Sequence, residues 1–152
     1  MQKKPSPGII AIDGNGVELG ELIGFEGERF YYLNNNGYIV QIYDGTVRDP
    51  GYYFYTTSNC TGNLYIMTTV PGTVYRGWGN LYYVPKDAVA EVKVFYSMLH
   101  ANLDPSWCDS AGPPGEGDEL EAIQVLPNDP SITGESSVMK TPPIRIIRRG
   151  DK

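Results

Sequence analysis

Of the side chains best suited to chemistry, this chain holds one histidine, His100, and two cysteines, Cys60 and Cys108, beside eighteen carboxylates. A Ser-His-Asp relay could only use His100, and no Gly-x-Ser-x-Gly elbow accompanies it. A metal site needs more ligands than one histidine and two distant cysteines, and no Cys-x-x-Cys pair occurs. Paired carboxylates would suit glycoside hydrolysis, and Glu18, Glu21, Glu26 and Glu28 lie near one another in sequence. They sit beside turn residues, however, where carboxylates are ordinarily solvated. Asp13-Gly14-Asn15-Gly16 opens like a calcium loop but lacks the later bidentate glutamate, so it reads as a hairpin turn. No Gly-x-Gly-x-x-Gly phosphate cradle is present. The expectation is a chain with no catalytic residues, no metal site and no cofactor.

Cys60 and Cys108 each lie among small polar residues, in Ser58-Asn59-Cys60-Thr61-Gly62 and Ser106-Trp107-Cys108-Asp109-Ser110. Their even count, loop-like contexts and lack of metal partners predict a disulfide, which would contribute about 4 kcal/mol in the chain-entropy treatment. The alternative is two separate thiols in a cytosolic protein. The disulfide reading places the chain in an oxidising compartment, extracellular or at the cell surface, with the periplasm as the alternative. The apolar stretch Ile9 to Ile12, behind Lys3 and Lys4, is too short for a signal-peptide core. Either the protein is made without a signal or this is a mature form with an added methionine, and the cysteines favour the second. No run of about 18 apolar residues exists, so no membrane-inserting helix is expected. The net charge of −6 argues against nucleic acid or anionic lipid as partner, with Arg145, Arg148 and Arg149 the one local basic cluster.

The aromatic pattern is the most suggestive feature. Tyr31-Tyr32, Tyr52-Tyr53-Phe54-Tyr55 and Tyr82-Tyr83 would put neighbouring rings on opposite faces of a strand. One of each pair should face the core and the other solvent, a partner or a ligand. Tyr53, Tyr83, Trp78 and Trp107 are the candidate contact surface. Self-association, or a surface glycan or protein, is the expected partner.

The elements that would carry these side chains are strands. Twelve tyrosines, eighteen glycines and twelve prolines in 152 residues suit short pleated segments joined by many turns. Asp13-Gly14, Asn36-Gly37 and Asp44-Gly45 are tight-turn dipeptides between β-prone runs of hairpin length. Strands are expected over Ile9–Asp13, Val17–Phe25, Glu28–Leu33, Tyr38–Tyr43, Tyr52–Thr57, Asn63–Thr69, Thr73–Arg76, Asn80–Val84, Glu91–Ser97, Glu121–Leu126 and Pro143–Arg148. In Tyr38–Tyr43, Tyr38, Val40 and Ile42 should share one face and Ile39, Gln41 and Tyr43 the other. Leu103–Gly117 reads as loop. The fold expected is a single all-β domain over 1–152, an antiparallel sandwich or small barrel of short strands with long C-terminal loops, with 1–8 and 149–152 as flexible tails.

The segment Tyr55-x-x-Ser58-Asn59-Cys60-Thr61-Gly62-x-x-Tyr65 resembles a motif of uncharacterised β-rich domains in bacterial extracellular proteins, including surface proteins with collagen-like repeats and phage tail-fibre-like proteins. Asp13-x-Asn15-Gly16-x-x-x-Gly20, Leu81-Tyr82-Tyr83, a second cysteine like Cys108 and Pro142-Pro143-Ile144 are similar to further parts of that pattern. Asn59 stands where the pattern usually has aspartate, and Ile144 where an aromatic is common. The resemblance implies an extracellular, non-enzymatic role as a structural or adhesive module, and it carries no catalytic residues. A secreted carbohydrate-binding or carbohydrate-cleaving protein is the alternative.

Overall fold

The computed structural model describes residues 8–77, 79–100, 108–110 and 117–150. They are almost entirely β: β1 Ile9–Ile12, β2 Glu18–Glu26, β3 Arg29–Leu33, β4 Ile39–Tyr43, β5 Thr46–Val47, β6 Tyr52–Tyr55, β7 Leu64–Met67, β8 Thr73–Arg76, β9 Leu81–Tyr83, β10 Glu91–Phe95, β11 Ser97–His100, β12 Asp109–Ser110, β13 Asp118–Pro127, the one-turn helix α1 Pro130–Thr133, and β14 Arg145–Arg148. The all-β expectation holds, while the layer arrangement differs from it. The strands form one mixed 14-stranded sheet ordered β12-β11-β6-β7-β13-β9-β8-β4-β3-β2-β1-β14, with β10 and β5 branching from β13 and β4. Its two end strands, β12 and β14, do not pair, so no barrel closes. Nor is it wholly antiparallel, because β4 and β8 run parallel through Ile39↔Thr73 and Val40↔Val74.

The first half is a meander that follows from turn chemistry. Asp13 closes the β1–β2 turn by accepting the N–H groups of Asn15 and Val17 at 2.8 and 2.9 Å, and Gly16 takes φ +79°, a conformation glycine adopts without penalty. Gly20 answers a different need. A Cβ there would lie 2.4 Å from the Leu33 carbonyl oxygen, so the close approach of β2 to β3 excludes a side chain. The outermost pairing, β1 with β14, continues past the strand ends: the Arg149 N–H bonds the Gly8 carbonyl at 2.7 Å and its guanidinium pairs with Glu18 at 2.9 Å. Gly8 and Arg149 therefore extend the sheet edge beyond the strand ends. Residues 1–7 and 151–152 of the expected tails lie outside the described residues.

Strand β13 joins the two halves. Its Ala122–Val125 stretch pairs with β7, its Asp118–Ala122 stretch with β10, and Leu126–Pro127 with β9. Alternate residues consequently feed separate clusters. Ile123 and Val125 pack with Tyr53, Ile66, Tyr75 and Val84, whereas Ala122 packs with Phe54, Tyr65 and Phe95. The third cluster, around Tyr32, Tyr38, Val40, Ile42, Val74 and Tyr83, lies under the meander. Both faces of the β6–β7–β13 region are thus covered, which departs from the one wet face of a simple meander.

Cys60 and Cys108 are joined in a disulfide with Cα atoms 5.9 Å apart, as the sequence predicts. The bridge lies beside β11, where Ser97 Oγ accepts the Cys60 N–H at 2.9 Å and donates to the Thr57 carbonyl at 2.6 Å. After β13 the chain makes α1, capped by Asp129, whose carboxylate accepts the Ser131 N–H at 3.0 Å. It then folds back over β3. There Glu135, 5% exposed, accepts from the Tyr32 hydroxyl at 3.0 Å, Asn34 Nδ2 at 2.8 Å and Lys140 Nζ at 2.5 Å. This buried polar network fastens the 128–141 segment to the meander, since every group in it has a partner.

Candidate functional site

The tyrosine alternation is real but its phase is the reverse of the expected one at two positions. Tyr53 is 2% exposed and Tyr83 6%, so both are core residues and not a contact surface. Tyr53 packs between Ile66, Val84 and Ile123 and donates its hydroxyl to the Arg76 carbonyl at 3.0 Å. Burial first, and the neighbouring Tyr82 second, push its phenol far above the ordinary tyrosine range. Tyr83 meets Tyr38 edge-to-face at 5.9 Å in the cluster under the meander. Among the described residues the exposed tyrosines are Tyr43 and Tyr52, at 48% and 41%. Trp78 and Trp107 lie outside the described residues.

The chemistry-bearing residues of the sequence are dispersed. His100 Nε2 lies 3.5 Å from Asp109 and its ring stands against Tyr52 at 4.6 Å. Glu18 serves Arg149, and Glu26 accepts the Tyr31 hydroxyl. That hydrogen bond is the main reason the Tyr31 phenol is raised, with the nearby Arg48 and Arg29 pulling the other way. Among the described residues no group of three or more His, Cys, Asp or Glu side chains converges as metal ligands would.

Three arginines do converge, a cluster the sequence reading missed. Strand β4 shares one edge between two partners: Ile39 and Val40 pair with β8, while Ile42 and Tyr43 pair with β5. Gln41 is the residue at this fork. Two strands leaving one edge must separate, and a crevice of about 490 Å³ opens beside them, lined by Arg29, Tyr43, Asp44, Arg48, Asp49 and Arg76 among others. Its size falls within the roughly 300–1,000 Å³ range of small-molecule clefts.

Each wall is held by backbone. The Arg48 N–H bonds the Gln41 carbonyl at 2.9 Å, and the Arg48 carbonyl accepts the Arg76 N–H at 3.0 Å. Asp49 caps its own turn by accepting the Gly51 N–H at 2.8 Å. On the sheet face opposite Phe30, Tyr32, Val40 and Ile42, the register sets Arg29 against Tyr43 and Tyr31 against Gln41. The Arg29 guanidinium carbon lies 5.7 Å from the centre of the Tyr43 ring.

The three guanidiniums have different duties. Arg76 is spent on structure, donating from Nε to the Val47 carbonyl at 3.0 Å and pairing with Asp49 at 3.1 Å. Arg48 donates to Gln41 Oε1 at 2.9 Å and Arg29 stacks on Tyr43, and neither makes an ion pair among the described residues. Two guanidiniums without a carboxylate partner, on an acidic protein, are suited to taking an anionic oxygen from outside.

Two other depressions offer less. One of about 390 Å³ beside Asn34, Glu135 and Lys140 has its buried charges already paired with each other. Another of about 560 Å³, around Asn80, Pro127 and Met139, is lined by no charged side chain. No protein-family model matches this chain, and no curated protein or solved structure matches it either, so the crevice is read from its own geometry alone.

Proposed function

We propose that this domain is a non-catalytic structural or adhesive module of an extracellular or fibre-like protein, engaging its partner through the crevice at the β4 fork. The observation that carries the reading is the convergence there of two guanidiniums without ion-pair partners and a half-exposed tyrosine ring. Such groups bind; general acid–base work calls for a carboxylate or imidazole positioned against a reacting atom. The Cys60–Cys108 disulfide supports an oxidising, extracytoplasmic setting. No described helix is long and apolar enough to cross a membrane. Tyr43 beside Asp44 and Asp49 favours carbohydrate recognition over a purely self-associating role, because saccharides offer ring faces for stacking and hydroxyl donors for carboxylates.

The test is a glycan array probed with disulfide-intact domain, with sedimentation velocity and product analysis on the same preparation. Saturable glycan binding or defined self-association, with the glycan chemically unchanged, supports the proposal. Release of a cleaved product, or neither binding nor association, defeats it.

A further inference from the structure

We infer that the β4-fork crevice recognises a singly charged, polyhydroxylated ligand, a carboxylated sugar residue of the hexuronate or sialate type. This deepens the adhesive reading above and rests on it.

Charge selects the class. The lining holds three arginines, Arg29, Arg48 and Arg76, against two aspartates, Asp44 and Asp49, a net of one positive charge. The protein around it carries −6 overall. A polyanion such as nucleic acid or a heavily sulfated polymer would be repelled by that field, whereas one carboxylate can be met locally. A guanidinium fork matches a planar carboxylate through two parallel hydrogen bonds, and Arg29 and Arg48 are the two with no ion-pair partner among the described residues.

The rest of the lining suits the rest of such a ligand. Carboxylates only accept hydrogen bonds, so Asp44, in the lining, calls for a hydroxyl donor, which a bare carboxylate or phosphate lacks and a sugar supplies. Tyr43, 48% exposed, offers a ring against which a pyranose face can lie.

Behind Arg48 sits a second donor. Gln41 is 5% exposed, and its Oε1 is committed to Arg48, which fixes Nε2 as the other end of the carboxamide. That Nε2 is the one buried side-chain nitrogen or oxygen with no hydrogen-bond partner among the described residues. Gln41 does not itself line the crevice, but buried polar groups are nearly always satisfied, so its orphan donor marks the fork as a place where the fold leaves an oxygen acceptor unsupplied.

The test titrates isotopically labelled domain with methyl glucuronide by NMR, beside methyl glucoside, sodium acetate and sodium phosphate. Saturable shifts at the amides of Thr46 to Asp49 and Arg76 are expected with the glucuronide, and at least tenfold weaker binding with the other three. Arg48→Gln and Arg29→Gln should each weaken the glucuronide about tenfold, the effect of losing one charge-assisted hydrogen bond. Arg29 reaches solvent and anchors no backbone, so Arg29→Gln should keep its urea midpoint. Arg48→Gln also removes the hydrogen bond to the buried Gln41 Oε1 and should lower its midpoint, so it is titrated where its urea curve shows it fully folded. Glucoside binding as tight as glucuronide would overturn the inference. So would acetate or phosphate matching it, shifts elsewhere, or no saturation. Array binding to neutral glycans that ignores Arg48→Gln would sink this inference and leave the adhesive reading standing. Crevice binding of glucuronide by a domain that adheres to no surface and does not self-associate would support the site and sink the reading.

Discussion

Replacing Lys140 by methionine tests how the C-terminal segment is fastened to the sheet. The side chains of Lys140 and Glu135 are only 8% and 6% exposed, and their charged atoms lie 2.5 Å apart. Methionine keeps the aliphatic volume and removes the ammonium, leaving a buried carboxylate with two donors, Tyr32 and Asn34. Stranding one member of a buried pair costs about 3–5 kcal/mol. Against a typical total stability of roughly 5–15 kcal/mol, that is a large fraction. For a chain of this size it corresponds to a melting-point drop on the order of 10 °C. Glu135→Gln alone should cost a similar amount, because it strands the ammonium instead. The double variant, with neither charge buried, should recover most of the loss, giving a coupling energy of about 2 kcal/mol or more. Urea denaturation followed by tyrosine fluorescence measures all four proteins. Single-variant losses below about 1 kcal/mol, or strictly additive effects, would mean the pair is solvated and the network does not hold the segment.

Three further outcomes follow from burial, covalent topology and ionisation. Tyr53→Ala and Tyr83→Ala should each destabilise the fold by about 3–5 kcal/mol, the range for deleting a buried aromatic, whereas Tyr52→Ala should cost about 1 kcal/mol or less, as unfolding curves will show. Cys60→Ser with Cys108→Ser should lower stability by about 4 kcal/mol, given a sequence separation of 48 residues, and non-reducing thiol titration of the parent should find no free thiol. Tyr32 and Tyr53 are both held protonated, chiefly by burial, with the Glu135 charge adding to the effect at Tyr32. Below about pH 10 their contribution is fully present. Above it the unfolded chain ionises while the native one keeps its protons, so stability should fall by up to about 1.4 kcal/mol per pH unit for each tyrosine. Tyr32→Phe should reduce that alkaline slope by up to about 1.4 kcal/mol per pH unit in a urea series, and an unchanged slope would refute the assignment.

The strands were legible because their cause is local. Asp13-Gly14, Asn36-Gly37 and Asp44-Gly45 mark the turns between β1 and β2, β3 and β4, and β4 and β5, and alternation in β4 correctly sorts Tyr38, Val40 and Ile42 into the core. Gln41 fails the same rule: it lies on the opposite face yet is 95% buried, because Arg48 and the fork cover it. Ser97–His100 was hidden because it follows β10 after a single residue, so two strands read as one. The phase of Tyr52-Tyr53 could not be read from alternation, since β6 is covered on both faces and only the long-range pairing of β13 decides which ring stays wet. The crevice was hidden for a related reason. Arg29, Arg48 and Arg76 come from three separate segments, and the parallel β4–β8 contact that gathers them has no local signature. One trace existed: Arg29-x-Tyr31 and Gln41-x-Tyr43 flank the Asn-Gly turn and must share a face.

The most direct measurement is adhesion of surfaces coated with the disulfide-intact domain, compared with the Arg29→Gln/Arg48→Gln double variant at matched coating density. If the β4-fork crevice is the binding surface, the variant loses at least tenfold in adhesion under conditions where its urea curve shows it fully folded. Full adhesion by a folded double variant would place the contact elsewhere and contradict the account.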